Sequence, residues 1–186
     1  KDRNGYRILK IDPLDTTAHN YGVAIDVGTT TVVAQLVDSN SWEVVGVEGT
    51  HNMQASYGED VISRMIYACG KGGLHPLHEA VVKNINQLIV KLAGDNSIPL
   101  EEINFIVAAG NTTMGHFLLG LTPCSIRLDP YVPTADVYPP ILAKDIGIHI
   151  HPNGVLETIP NVASYVGGDI VAGVMSCGIA DSPEVK

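Results

Sequence analysis

The stretch "YGVAIDVGTTTVVAQLVD", residues 21–38, constrains this chain more than any other. Two apolar, β-branched runs flank a tight Asp-Val-Gly-Thr-Thr-Thr, the pattern of two strands folding back at a short bend. A third run follows "SNS", so residues 21–26, 31–38 and 42–49 read as an antiparallel meander. The bend carries more polar chemistry than a hairpin needs. Gly28 gives the backbone freedom to turn several N–H groups toward one spot, and Thr29, Thr30 and Thr31 add hydroxyl donors there, which suits a phosphate. Asp26, ending the first strand, is placed to hold a hydrated Mg²⁺ beside it, because Mg²⁺ prefers carboxylates and retains water. An ordinary glycine turn whose threonines reflect strand propensity accounts for the same letters. The rest of the chain must decide.

Beyond residue 50 the period changes from two to about 3.6. Ser56 and Glu59 have capping-box spacing, and Val61, Ile62, Met65 and Ile66 recur behind them, which predicts a helix over residues 57–68 stopped by "CGKGG". Val81, Val82, Ile85, Leu88, Ile89 and Leu92 share one face of a second helix, residues 77–93, ending at Gly94. The apolar run 103–109 has strand length and reads as buried on both faces, followed by "GNTTMGHFLLG" as a loop entering a short helix. Residues 122–160 hold seven of the eleven prolines, which predicts short, broken structure and an inserted subdomain. "VGGDIVAGVMSCG" then opens an apolar, small-residue helix behind a glycine pair.

Two further places could carry chemistry. In "AAGNTTM" a buried strand ends among small residues, where Asn111, Thr112 and Thr113 could orient a water or touch a phosphate; capping of the next helix by Asn111, with the threonines beginning it, is the commoner use. In "VGGDI", Gly167 and Gly168 allow a backbone or a ligand to approach closely, and Asp169 could position or deprotonate a water. Capping alone would need only Asp169 and would leave the glycines unexplained. The pair His75 and His78, and "HIH" at 149–151, lack partners at metal-ligand spacing.

Eleven Lys and Arg against twenty Asp and Glu give a formal charge of −9, which opposes nucleic acid and anionic membrane surfaces. No apolar run approaches the roughly twenty residues of a membrane span. Cys69, Cys124 and Cys177 are too scattered to suggest a disulfide framework or a metal site, and a reducing cytoplasm fits them best.

Strand, "DVGTTT" turn, two strands, two helices, buried strand and Gly-bearing helix together resemble the first lobe of the ASKHA phosphotransferases, an α/β, ribonuclease-H-like fold with a mixed sheet flanked by helices. More narrowly, "YGVAIDVGTTTVVAQLVD", "ASYGEDVISRM", "AAGNTTMGHFLLGL" and "PNVASYVGGDIVAG", in this order, resemble the ATP-dependent reductive activators of corrinoid proteins. That resemblance implies an ATPase using MgATP to return a Co(II) corrinoid protein, or a corrinoid-dependent methyltransferase, to Co(I). The electron would come from a 2Fe-2S or other iron-sulfur domain outside this chain. It further implies that Thr29, Thr30 and Thr31 contact nucleotide phosphates, that Asp26 holds the Mg²⁺ shell, and that Asn111 and Asp169 face them across the cleft. Residues 1–20 would then be a tail from an upstream domain and residues 21–186 the first lobe. A second lobe would follow Lys186 and complete the adenosine pocket. A sugar or acyl kinase of the same superfamily and a non-catalytic actin-like scaffold remain open readings, as does association of two chains. A ribonuclease-H-like nuclease is disfavoured, because "AAGN" places no carboxylate at the strand end.

Overall fold

The computed structural model describes residue 11 and residues 15–71 and 73–179, so most of the expected upstream tail lies outside the described residues. Its frame is a six-stranded mixed sheet in the order β3-β2-β1-β4-β6-β5. The strands are β1 (Tyr21–Val27), β2 (Thr31–Asp38), β3 (Val44–His51), β4 (Ile103–Gly110), β5 (Ile141–Leu142) and β6 (Val155–Thr158). The first three form the expected antiparallel meander. β4 runs parallel to β1, and β6 parallel to β4. The helices are α1 (Val61–Cys69), α2 (His75–Asp95), α3 (Thr112–Leu118) and α4 (Gly168–Ser176). A mixed sheet with a leading meander, a parallel crossover and flanking helices is the ribonuclease-H-like α/β fold.

Alternation sets the layers. Val23, Ile25 and Val27 of β1 and Val32, Ala34 and Leu36 of β2 are buried beneath α2, which supplies Leu77, Val81, Ile85, Leu88, Ile89 and Leu92. Ala24, Asp26 and Gln35 point to the opposite face and are exposed. β4 is therefore not buried on both faces as expected: Ile103, Ile106 and Ala108 are buried, while Phe105, Val107 and Ala109 are half-buried on the side toward α4.

Four other expectations need correction. The helix expected over residues 57–68 starts later, because Met53–Tyr57 forms a separate 3-10 turn and the capping box is Asp60 with Ser63, not Ser56 with Glu59. Asp60 Oδ1 accepts from Ser63 N at 2.7 Å, and Ser63 Oγ accepts from Asp60 N at 3.2 Å. The apolar face of α1 is also split: Met65 is buried, Ile62 and Ile66 are exposed, and Arg64 takes an interior position. The proline-rich segment is not a separate insertion, because its second half supplies β5 and β6 to the sheet. Four residues suffice for β6 to pair with β4, which prolines on either side do not prevent. α2 extends past Gly94 to Asp95.

The cysteine expectation also fails. Cys69 at the end of α1 and Cys124 form a disulfide across a separation of 55 residues, with Cα atoms 5.7 Å apart. Folding brings the two together, and no sequence spacing reveals that. The inference of a reducing compartment, which rested on unpaired cysteines, loses its support; Cys177 is free and exposed. Among the described residues no helix is long and apolar enough to cross a membrane. Reduction, or Cys69→Ser with Cys124→Ser, is expected to cost about 2–4 kcal/mol in urea unfolding, since the bond closes a long loop in the unfolded chain. Thiol titration of the native, unreduced chain should find Cys177 alone reactive; equal stability with and without reductant would refute the bond.

Candidate functional site

The parallel pairing of β1 with β4 sets Val27 beside Gly110, so the bend after β1 and the "NTT" after β4 emerge side by side at one sheet edge. The two strands meet there with no room to spare: a Cβ on Gly110 would lie 2.8 Å from the Val27 carbonyl oxygen. The bend itself closes on Gly28, where a Cβ would meet the Thr31 carbonyl oxygen at 2.5 Å. Gly28 is thus required for space rather than for a left-handed backbone. Asn52 fixes the bend from behind, its Nδ2 donating to Gly28 O at 2.8 Å and its N donating to Thr30 O at 2.8 Å. With those carbonyls turned inward, the threonine hydroxyls form the polar rim: Thr29 is half-buried, and Thr30 and Thr31 are exposed.

Asn111 does two jobs. Its Oδ1 accepts from Met114 N at 3.1 Å, capping α3, and its Nδ2 donates to Thr29 Oγ1 at 3.1 Å. The cap and the contact with the bend are therefore one side chain. Thr112 is a different matter. It is fully buried and its hydroxyl donates to Ala163 O at 2.7 Å, which removes it from the cleft and corrects its assignment as a phosphate contact.

The glycine pair does admit a close approach, and the approaching group is backbone. A Cβ on Gly167 would stand 2.5 Å from Asn111 Cα and from Thr112 N, and one on Gly168 would stand 2.7 Å from Ile159 O. The start of α4 is thereby pressed onto the start of α3. Gly167 is the N-cap of α4 without a side-chain bond, so Asp169 does not cap the helix; it sits in the first turn, where its Oδ1 accepts from Ile170 N at 2.8 Å. Asp169 also reaches Asp26 electrostatically. Partial desolvation of its otherwise exposed side chain against the sheet face pushes the Asp26 carboxyl above its ordinary value, and the negative charge of Asp169 pushes it further the same way.

Two hollows flank this group. One, about 270 Å³, is bounded by Ala24, Asp26, Gln35, Ala109 and Ala172. The other, about 520 Å³, is bounded by Thr29, Asp60, Ile62, Asn111, Ser164 and Tyr165. Neither is lined by a lysine or an arginine. The structure therefore brings Asp26, Gly28, Thr29, Asn111, Gly167, Gly168 and Asp169 to one sheet edge, with Thr30 and Thr31 in the same bend.

Sequence reasoning missed the residues that hold this edge in place. Asn52 anchors the bend, and Asn161 Oδ1 accepts from Gly168 N at 3.1 Å. Behind Asn161 stands a partly buried chain: its Nδ2 donates to Tyr138 Oη at 3.2 Å, and Tyr138 Oη donates to Ala135 O at 2.7 Å and lies 3.2 Å from His116 Nδ1. His116 Nε2 accepts from Thr134 N at 3.1 Å, so the ring proton is on Nδ1 and is donated to Thr112 O at 2.7 Å. Burial lowers the His116 pKa and keeps the ring neutral, while burial and Asp136 push Tyr138 up to about 12. The asparagines offered a faint signal, each beside a strand end or a turn; the His116 chain offered none.

The RACo middle region family matches residues 21–182. The corrinoid activation enzyme RamQ of Eubacterium limosum is 34% identical over 172 residues, which is 91% of this chain and 29% of that protein. A solved structure of a reductive activator for corrinoid, iron-sulfur protein superposes with a TM-score of 0.89 at 47% identity, over 91% of this chain and 27% of that one. The chain thus spans less than a third of the length of either relative. With the family pattern covering everything from β1 through α4, the chain belongs to the RACo middle region family.

Proposed function

We propose that this chain is the first, phosphate-holding lobe of an ATPase that drives reductive reactivation of a corrinoid protein, from Co(II) to Co(I). The observation that carries the reading is the convergence at the sheet edge: Thr29 bonded to Asn111, the Gly167 backbone seated on Asn111, and Asp26 within electrostatic reach of Asp169. The names of the relatives supply the corrinoid part. Thr29 Oγ1 accepts from Asn111, which leaves its own hydrogen to donate to a phosphate oxygen. Thr30 and Thr31 add donors from the same bend, and Asn111, held by its cap, sets the angle of Thr29. Two like charges that raise a pKa between them fit a divalent cation. Bound Mg²⁺ would neutralise charge on the nucleotide, with Asp26 and Asp169 holding its water shell. Asp169 would orient the attacking water.

The electron donor is assigned to a longer protein. Among the described residues no group of three His, Cys, Asp or Glu side chains is placed to hold a metal ion, so these residues do not fit an iron-sulfur cluster. The 520 Å³ hollow beside Thr29 and Asn111 favours a second reading, phosphoryl transfer to a substrate hydroxyl bound against Asp60 and Ser164. The acceptor decides between the two.

Three outcomes are expected. In the full-length protein, ATP hydrolysis should rise when an oxidised corrinoid protein is added and should be indifferent to small polyols; stimulation by a polyol with transfer of the γ-phosphate would establish the second reading instead. Gly167→Ala should lower ATPase activity by at least about tenfold, because its methyl group has no space against Asn111 and Thr112. Wild-type activity in a folded G167A protein would show that the seam does not serve the chemistry. By NMR, Asp26 should titrate above its ordinary value near 3.8, and Asp169→Asn or Mg²⁺ should bring it down. The sign follows from the raised value: the folded chain binds the proton more tightly than the unfolded chain, so stability falls as pH rises from the ordinary carboxylate value to the raised one. Mg²⁺ should offset that fall.

A further inference from the structure

Arg64 is the largest fully buried side chain among the described residues, and nothing in the site chemistry above uses it. It projects inward from α1, where the helical period calls for an apolar residue. Its Nε donates to Gly58 O at 2.8 Å, Nη1 reaches Gln54 Oε1 at 3.5 Å and Met114 Sδ at 3.7 Å, and Nη2 has no partner. Among the described residues it forms no ion pair. The carboxylate that influences it electrostatically is Asp60, which is exposed and has Oδ1 committed to the α1 cap. A guanidinium remains charged in a protein interior, and an interior charge whose carboxylate neighbour is exposed and engaged in a helix cap is poorly compensated. A buried cation kept on these terms points to an anion that is bound rather than built in.

Its neighbours say where that anion sits. Gln54 Oε1, which Arg64 approaches, also accepts from Asn52 Nδ2 at 3.3 Å, and the same Nδ2 holds the Gly28 carbonyl. Met114 Sδ lies against both Arg64 Nη1 and Asn52 Nδ2, and Met114 N is bonded to Asn111. The guanidinium is thus linked to both halves of the cradle, to the 28–31 bend through Gln54 and Asn52 and to the start of α3 through Met114. The medium between them is packed side chain rather than water, and there a charge is felt over several ångströms with little screening. Neither flanking hollow contains a cation of its own.

We propose that Arg64 is a positioning residue of the phosphate site, a fixed interior positive charge whose counter-ion is the phosphate held at Gly28–Thr31 and Asn111. This rests on the phosphate reading above. Arg64 does not touch the ligand; it acts through the field it places behind the bend and through Gln54 Oε1, the acceptor it shares with Asn52.

The test needs no turnover. Orthophosphate, pyrophosphate and tripolyphosphate are titrated into the wild-type chain and Arg64→Met at fixed Mg²⁺, and the backbone amide shifts of Gly28–Thr31 and Asn111 give the dissociation constants. Arg64→Gln, which keeps a donor toward Gly58 O, replaces R64M should that variant not fold. The expected loss of affinity grows along the series, small for orthophosphate and about tenfold or more for tripolyphosphate, tenfold corresponding to about 1.4 kcal/mol. A purely structural role would weaken all three ligands equally, and that result, or unchanged affinities, would overturn the inference while leaving the phosphate site standing. A folded wild-type chain that binds none of the three at this edge would remove the phosphate reading and this inference with it.

Discussion

The parallel pairing of β1 with β4 is the constraint on which the rest of the site depends. It puts two strand ends, distant in sequence, at one edge of the sheet with Val27 beside Gly110. Because a Cβ at Gly110 would press on the Val27 carbonyl, the strands keep their spacing up to the last residue. The bend after β1 and the cap of α3 then have nowhere to go but against each other, and Asn111 joins them by bonding Thr29. α4 completes the arrangement through contacts that only glycine permits, with Gly167 lying on the Asn111 backbone. The site is therefore made of backbone approaches first, and its side chains are positioned as a consequence.

That construction explains an electrostatic oddity. A site for phosphate commonly recruits Lys or Arg directly, as point charges or bidentate forks. Here the edge presents hydroxyls and an amide toward the cleft and two carboxylates that repel each other, in a chain of formal charge −9. Such an edge holds an anion only together with cations, and there are two ways to place them. One is a metal ion between Asp26 and Asp169. The other is an interior charge such as Arg64, far enough back to leave the bend free for backbone donors. In the proposed reading the two would be complementary, because the first would arrive with the ligand and the second would be present before it.

Much of this was legible in the sequence, and the residues that were not share a physical reason. The hairpin, α2 and the β4-to-α3 crossover were read from period and turn chemistry, which are local properties. The seven site positions at the edge were read as separate motifs, and folding joins them. Misreadings came where two local solutions compete or where a long-range contact decides. Ser56 with Glu59 and Asp60 with Ser63 both satisfy a capping pattern, and the 3-10 turn at Met53–Tyr57 selects the second. Thr112 looked available, but the Ala163 carbonyl claims its hydroxyl. Cys69 and Cys124 carry no spacing signal across 55 residues. Arg64 was not singled out at all, since its charge argues for exposure and no local feature of the sequence marks it as interior.

The partly buried chain from His116 through Tyr138 to Asn161 shows how the α4 end of the site can be held without charged groups. Every member is neutral: burial keeps the His116 ring unprotonated and the Tyr138 hydroxyl protonated, with Tyr138 displaced to about 12. A neutral chain avoids the desolvation cost that a buried ion pair would carry, yet it fixes each orientation in turn. Thr112 O, at the start of α3, accepts from His116, and Gly168 N, at the start of α4, donates to Asn161. The two helix starts that press together at Gly167 are thus tied a second time from behind, through side chains that never face the cleft. Contact in front and tether behind make α3 and α4 a single unit at this edge, so a force that shifts one helix start must shift the other. In the proposed ATPase reading, that is the property by which a change at Asn111 would reach the helix that leads away from the site.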